Sequence, residues 1–264
     1  MYAFDYAKAG SVSDAVSALA AEDAQPISGG QTLIPTLKAR LASPSVLVDL
    51  SKIDEMKGIE ASGGSVKIGG AVTHHEVAES DAVKGAIPAL AALAGHIGDP
   101  AVRHVGTLGG SVANNDPSAC YPAACLGLGA TIHTSGGDVA ADDFFQGMFD
   151  TALGEGQIVT GATFPAPAAA AYEKFVQPAS RFALVGVFVS RGSDGAARVA
   201  VTGASEGGVF RWSEAEAALS SNWSADALPD APSPDGMIGD LHGSPEYRAH
   251  LVKVITGRAV TKAG

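Results

Sequence analysis

Two glycine-rich segments, Ser28-Gly29-Gly30-Gln31-Thr32 and Gly106-Thr107-Leu108-Gly109-Gly110-Ser111, constrain this chain more than anything else in it. Paired glycines put no Cβ in the way, so main-chain amides can be laid open to an anion. Hydroxyls accompany each pair: Ser28 and Thr32 in the first, Thr107 and Ser111 in the second. The first turn also leads into a helix start, whose dipole favours negative charge. The fold must therefore present two bare turns on a scaffold that can hold them. The better-known phosphate motifs do not fit. No Gly-x-x-x-x-Gly-Lys-Ser/Thr occurs, which disfavours a P-loop, and the first turn lacks the Gly-x-Gly-x-x-Gly of a Rossmann site.

The scaffold reads as mixed helix and strand. Ser11 with Asp14 forms a helix-start pattern ahead of Ala15, Val16 and Leu19. A short helix over Leu33 to Arg40 and a strand over Val46 to Leu50 follow, and Ala61 to Ser65 reads as a turn closing this unit. Next come a strand at Val66 to Gly69, a capping box at Thr73-His74-His75-Glu76, and an apolar helix from Ile87 to Gly95. An Ala-rich helix and a strand from Ala130 to Thr134 succeed the second glycine turn. Pro165 to Ala170 reads as a linker. Beyond it, Phe182 to Arg191 and Arg198 to Thr202 read as strands joined by a turn at Gly192 to Gly195. Helices are expected at Ser213 to Leu219 and Glu246 to Val260, with a surface excursion from Asn222 to Ser244. The implied division is residues 1–168, in subdomains of about 1–60 and 61–168, followed by 172–264.

Charge and cysteine content remove several function classes. A net charge of −11 argues against a nucleic-acid partner, which needs clustered Lys and Arg. No apolar run approaches the roughly 18 residues of a membrane span. The Met1-Tyr2-Ala3-Phe4-Asp5 start lacks a secretory pattern, so the cytoplasm is the expected compartment. Cys120 and Cys125 are too few for an ordinary iron–sulfur cluster, and their spacing matches no zinc motif. Electrons handled by this chain would have to reside on an organic cofactor.

Ser28 to Pro35 resembles the Ala-Gly-Gly-x-Ser-Leu-x-Pro signature of the flavoprotein subunits of molybdenum hydroxylases, such as carbon monoxide dehydrogenase and xanthine dehydrogenase. Val102 to Ala113 resembles their second signature, Arg-x-x-Gly-Thr-Ile-Gly-Gly-x-x-Ala. Tyr172 to Phe175, leading to Phe182 to Val187, resembles the start of their C-terminal domain. The resemblance implies an α+β architecture, a two-subdomain FAD-binding fold of the PCMH type followed by a small α+β C-terminal domain. It implies a first FAD clasp of Ser28, Gly29, Gly30, Gln31, Thr32 and Leu33. The second would comprise Gly106, Thr107, Gly109, Gly110, Ser111 and Ala113, with Lys174 near the flavin ring. It further implies an iron–sulfur small subunit and a molybdopterin large subunit as partners. The chain would then pass electrons from the iron–sulfur subunit to an external acceptor.

Two positions depart from the family pattern. Pro117-Ser118-Ala119-Cys120 puts a cysteine where the family has an aspartate against the cofactor. Pro178-Ala179-Ser180-Arg181 replaces the usual Arg-x-x-Asp. Two rivals stand beside this reading, a self-contained FAD-dependent oxidoreductase and a flavin-free scaffold of the same fold, and these losses favour the second. No catalytic acid or base and no metal ligand is assigned. His74-His75 reads as a capped helix start, Asp142-Asp143 as a solvated pair, and His96, Asp99 and Arg103 as supports for the second turn.

Overall fold

The structure is a computed structural model that describes all 264 residues. It begins with β1 (Asp5–Lys8), α1 (Val12–Leu19), β2 (Ala24–Ile27), α2 (Leu33–Lys38) and β3 (Val46–Asp49). Ser11 starts α1 by accepting from the Asp14 amide, and Ala15 and Leu19 turn inward at helical spacing. Both sheet pairings are parallel, in the order β1-β3-β2, so helices must carry the chain back between strands. A small core of Ala15, Leu19, Val48, Leu50, Ile53, Met56 and Ile158 seals this layer. The first glycine turn leaves the carboxyl end of β2, where open α/β sheets place their ligands.

The second layer opens with the hairpin β4 (Ile59–Ser62) and β5 (Ser65–Gly69). The expected turn at Ala61 to Ser65 is thus the tip of this hairpin, and the strand expected from Val66 is β5. Helices follow in a run: α3 (His74–Glu79), α4 (Asp81–Ala86), α5 (Pro88–Gly95), α6 (Pro100–Arg103), α7 (Leu108–Asn114) and α8 (Cys120–Leu128). Thr73 and Glu76 form the expected reciprocal capping box on α3. Then come β6 (Thr131–Thr134), β7 (Gly137–Ala140), α9 (Ala141–Phe144), β8 (Phe145–Gly147), β9 (Asp150–Thr151) and β10 (Val159–Pro165). The antiparallel sheet β4-β5-β10-β6-β7 carries the helices against one core, in which Ile68, Leu90, Leu93, Leu108, Tyr121, Ile132 and Phe164 are buried. Every residue of α8 is buried, so this helix has apolar neighbours all round.

The final part comprises β11 (Ala169–Val176), β12 (Ala183–Arg191), β13 (Ala197–Thr202), β14 (Phe210–Arg211), α10 (Ser213–Ser221) and α11 (Pro245–Ala263). The linker expected at Pro165 to Ala170 is half strand, with Ala166, Pro167 and Ala168 alone lying between β10 and β11. Pro165 pairs with Ser65 and ends β10, while Ala169 and Ala170 pair with Arg191 and Ser190 and open β11. Alanine has weak strand preference alone, and ladder pairing with β12 overrides it. Alternate residues of β12 serve two cores: Phe188 faces α8, whereas Val185, Val187 and Val189 belong to the core containing Val252 and Ile255 of α11. Polar ties reinforce the α8 side. Ser190 Oγ donates to the Gly127 carbonyl at 2.6 Å, and Thr202 Oγ1 donates to the Pro117 and Ala119 carbonyls, each at 2.8 Å. Asp142 is not merely solvated, for it accepts from Arg198 of β13 and Arg211 of β14, tying α9 to the last sheet. No helix is long and apolar enough to cross a membrane.

Candidate cofactor site

The two glycine turns, far apart in sequence, meet in space. Thr107 Oγ1 donates to Ser28 Oγ at 3.0 Å, and a Cβ on Gly29 would lie 2.6 Å from Gly106 Cα and overlap the Val105 carbonyl oxygen. Gly29 is thus dictated by close approach of one backbone to another. Gly30 takes φ +67°, a left-handed turn that releases the chain into α2. The amides of Gly29, Gly30, Gln31 and Thr32 donate to no acceptor within the protein, leaving a consecutive run of open donors.

The second turn is built differently. Gly109 and Gly110 lie in the first turn of α7, in right-handed helix, and Thr107 caps that helix by accepting from the Gly110 amide at 3.2 Å. The Gly109 amide donates to the Gly70 carbonyl at 2.9 Å, and a Cβ there would lie 2.7 Å from the same oxygen. Gly109 therefore packs α7 against the end of β5, while Gly110 is open toward the cleft, with only Thr107 Oγ1 near its Cβ direction. Ser111 and Ala113 share the cleft wall.

Both turns line one cavity of about 710 Å³, within the size range of small-molecule and cofactor sites. Leu50, Met56, Ile158 and Val159 give it an apolar stretch, and the β11–β12 hairpin contributes Lys174, Ser180, Arg181 and Phe182. Lys174 Nζ donates to the His96 carbonyl at 2.8 Å, to the Arg181 carbonyl at 3.0 Å and to Cys120 Sγ at 3.6 Å. The two positions that depart from the family pattern thus converge on one lysine. Arg181 sits at φ +64° in a loop held by Gln177 Oε1, which accepts from the amides of Ala179 and Ser180.

His96, Asp99 and Arg103, expected to position the second turn, make no hydrogen bond to it; the His96 carbonyl accepts from Lys174 instead. Asp99 caps α6, and Arg103 donates to the Ile97 and Gly98 carbonyls. His75 stacks on His104 at 3.9 Å between centroids, and no group of three His, Cys, Asp or Glu side chains gathers as a metal-ligand set. His74 lines the cavity and was not among the expected site residues. Burial, and then the charge of Arg103, hold its pKa down at about 4, so it is neutral at physiological pH. Its capping-box setting explains the helix start but gave no hint that the ring would lie under Gly106. Met56, Ile158 and Phe182 carried no local signal, because only the tertiary fold brings them to the cleft.

Residues 2–167 match the family model described as the FAD binding domain in molybdopterin dehydrogenase. The chain belongs to the FAD-binding medium subunits of molybdenum hydroxylases. This medium subunit is 35% identical to the nicotine 6-hydroxylase medium subunit of Paenarthrobacter nicotinovorans, covering 99% of this chain and 98% of that one. It is 34% identical to the carbon monoxide dehydrogenase medium chain of Afipia carboxidovorans, covering 98% and 96%. Among solved structures, carbon monoxide dehydrogenase of Hydrogenophaga pseudoflava, in a form lacking the Mo-pyranopterin moiety, superposes with a TM-score of 0.88. That match has 30% identity and covers 99% of this chain and 97% of that one. Quinoline 2-oxidoreductase of Pseudomonas putida 86 superposes with a TM-score of 0.87 at 32% identity, covering 99% and 97%.

FAD is accordingly the cofactor of this medium subunit, which is an oxidoreductase component. The cleft suits it on its own evidence. An open run of amides would suit a diphosphate, Cβ-free turns would let it approach, and apolar walls would suit aromatic rings.

Proposed function

We propose that this medium subunit is an electron carrier, taking electrons from an iron–sulfur small subunit and delivering them to an external acceptor. A molybdopterin large subunit would perform the hydroxylation. Ser28 to Leu33, with Thr107, Gly110, Ser111 and Ala113, would hold the diphosphate side of FAD, Gly106 and Gly109 shaping the second turn. Lys174 beside Cys120 would set the charge near the flavin. Bound FAD supplies the redox chemistry, and the protein supplies binding, orientation and electrostatic tuning.

One observation carries this reading: the cleft groups able to move protons are largely held in place, Asp116 among them, whose Oδ1 accepts from the Ser118 amide at 2.8 Å. Lys174 is fixed by two carbonyls and a thiol, His74 is buried and neutral, and Cys120 is buried as Lys174's partner. None is poised to abstract a proton from an organic substrate. Cys120 and Cys125, both free and buried, leave the incoming electrons to be relayed by another chain. The test compares this chain alone with the assembled three-subunit complex, each loaded with FAD. Dithionite should reduce the flavin in both, whereas a hydroxylase substrate should do so only in the complex. Substrate-driven reduction of the lone chain at the rate of the complex would overturn the reading in favour of a self-contained oxidoreductase.

A further inference from the structure

His74 is the one cleft-lining side chain whose ring is buried deep in the protein and yet lacks a partner for a ring nitrogen. It is 5% exposed, and Nδ1 has no hydrogen-bond partner. The segment carrying it is laced to the second glycine turn. The His74 amide donates to the Gly106 carbonyl at 2.9 Å, and the Leu108 and Gly109 amides return bonds to Val72 and Gly70. The ring then fills the space beside Gly106 that a side chain there would need, since a Cβ on Gly106 would fall 2.7 Å from His74 Nε2. Gly106 is therefore glycine because of His74, and Nε2 is the nitrogen nearest the turn.

A neutral imidazole carries a single N–H. Orphaned donors are rarer in protein interiors than under-satisfied acceptors, so the proton belongs on Nε2 and not on the buried Nδ1. That leaves a fixed, uncharged donor at the cleft wall, flush with a backbone that has no side chain to screen it. The geometry points to His74 as an FAD-binding residue, donating from Nε2 to an oxygen of the diphosphate–ribityl segment where it passes Gly106. This rests on the assignment of the cleft to FAD. Tyr121, whose ring centroid lies 5.4 Å from that of His74, and Val102 of α6, whose carbonyl shares the same space, hold the imidazole in place. The donor is thus pre-positioned before the cofactor arrives.

Glutamine, asparagine and phenylalanine at position 74 separate a donor from a filler. Glutamine can place an amide N–H near the Nε2 position, asparagine mimics Nδ1, and phenylalanine keeps only the ring. In titrations of the full chain followed by flavin fluorescence, His74→Gln should bind FAD within about threefold of the unmutated protein. His74→Asn and His74→Phe should weaken binding about tenfold, the effect of one hydrogen bond to a charged group. Melting temperatures report the fold separately. Equal affinity in all three variants would overturn the inference, as would equal loss in all three, which would make the ring's shape the requirement. A second measurement needs no variant. In ¹⁵N-histidine-labelled protein, adding FAD should move the Nε2 resonance of His74 and barely disturb Nδ1. An unmoved Nε2 refutes the donor even if every variant misfolds. Failure of the unmutated chain to bind FAD would refute the cleft assignment itself, and this inference with it.

Discussion

Gly29→Ala tests whether the two turns form one clasp or merely sit near each other. The added methyl would lie 2.6 Å from Gly106 Cα and overlap the Val105 carbonyl oxygen, both backbone atoms that no rotamer change can move. Clearing Gly106 Cα alone to an ordinary 3.4 Å requires the turns to part by roughly 0.8 Å, and the overlapping Val105 oxygen requires more. The same shift would stretch the 3.0 Å Thr107–Ser28 bond beyond hydrogen-bonding range. Overpacking of this kind costs about 1–3 kcal/mol, and the lost hydrogen bond adds about 1. Stability should therefore drop by roughly 2–4 kcal/mol. FAD, if it spans both turns as proposed, should lose at least one charge-assisted bond, or about one to two decades of affinity. Fluorescence titration and a thermal melt read the two effects independently. Two neighbours provide the contrast. Gly110→Val, at a position open to the cleft, should expel FAD while leaving the melting temperature nearly unchanged. Gly109→Val, driven into the Gly70 backbone, should lower stability first. If Gly29→Ala keeps both native affinity and native melting temperature, the turns are not in fixed contact and the single-clasp argument fails.

Three further outcomes follow from other parts of the molecule. Cys120→Asp would set a carboxylate against Lys174 and so disfavour the reduced, anionic flavin; a dye-linked redox titration should show a lower midpoint potential. An unchanged potential would place Lys174 away from the flavin. The depressed pKa of His74 makes the unfolded chain the better proton acceptor between the ordinary value of 6.5 and about 4. Its contribution to stability is therefore complete above pH 6.5 and is lost as pH falls toward 4, by about 3 kcal/mol in all. Denaturant titrations across that range should show the slope in the unmutated protein and its loss in His74→Gln. Asp142→Ala removes two partly exposed ion pairs, with Arg198 and Arg211, and should cost about 1 kcal/mol at low ionic strength and less in salt. Equal stability at low and high salt in both forms would show the pairs to be energetically silent.

What the sequence revealed was local. Ser11, Thr73 and the glycine pairs announce themselves because caps and bare turns depend on a few adjacent residues. The second glycine pair was legible as a site element but not as helix, since Thr107 caps a helix beginning at Leu108, and glycine there has no propensity signal. Pro165 to Ala170 looked like a linker because alanine and proline say nothing of the strands that will pair with them. Asp142 looked solvated because its partners, on β13 and β14, are distant in sequence. His74 was hidden for the same reason. Its chemistry comes from the burial and from the approach of Gly106, and neither is written in the residues beside it.

The complete burial of α8 bears on how this chain can be dissected. The match to the FAD-binding family model stops at residue 167, inviting expression of that portion as a minimal flavodomain. Yet Tyr172, Phe188 and Ala200, beyond that point, share the core that contains Tyr121, Ala124 and Cys125 of α8. A chain ended there would expose one flank of a helix that has no polar face, and would lose Lys174 from the cleft. Such a fragment would be prone to self-association through the bared helix, and its cofactor would sit in a half-built seat. The smallest unit worth engineering, fusing or transplanting is the whole chain, because the seam visible in the sequence runs through the middle of a shared interior.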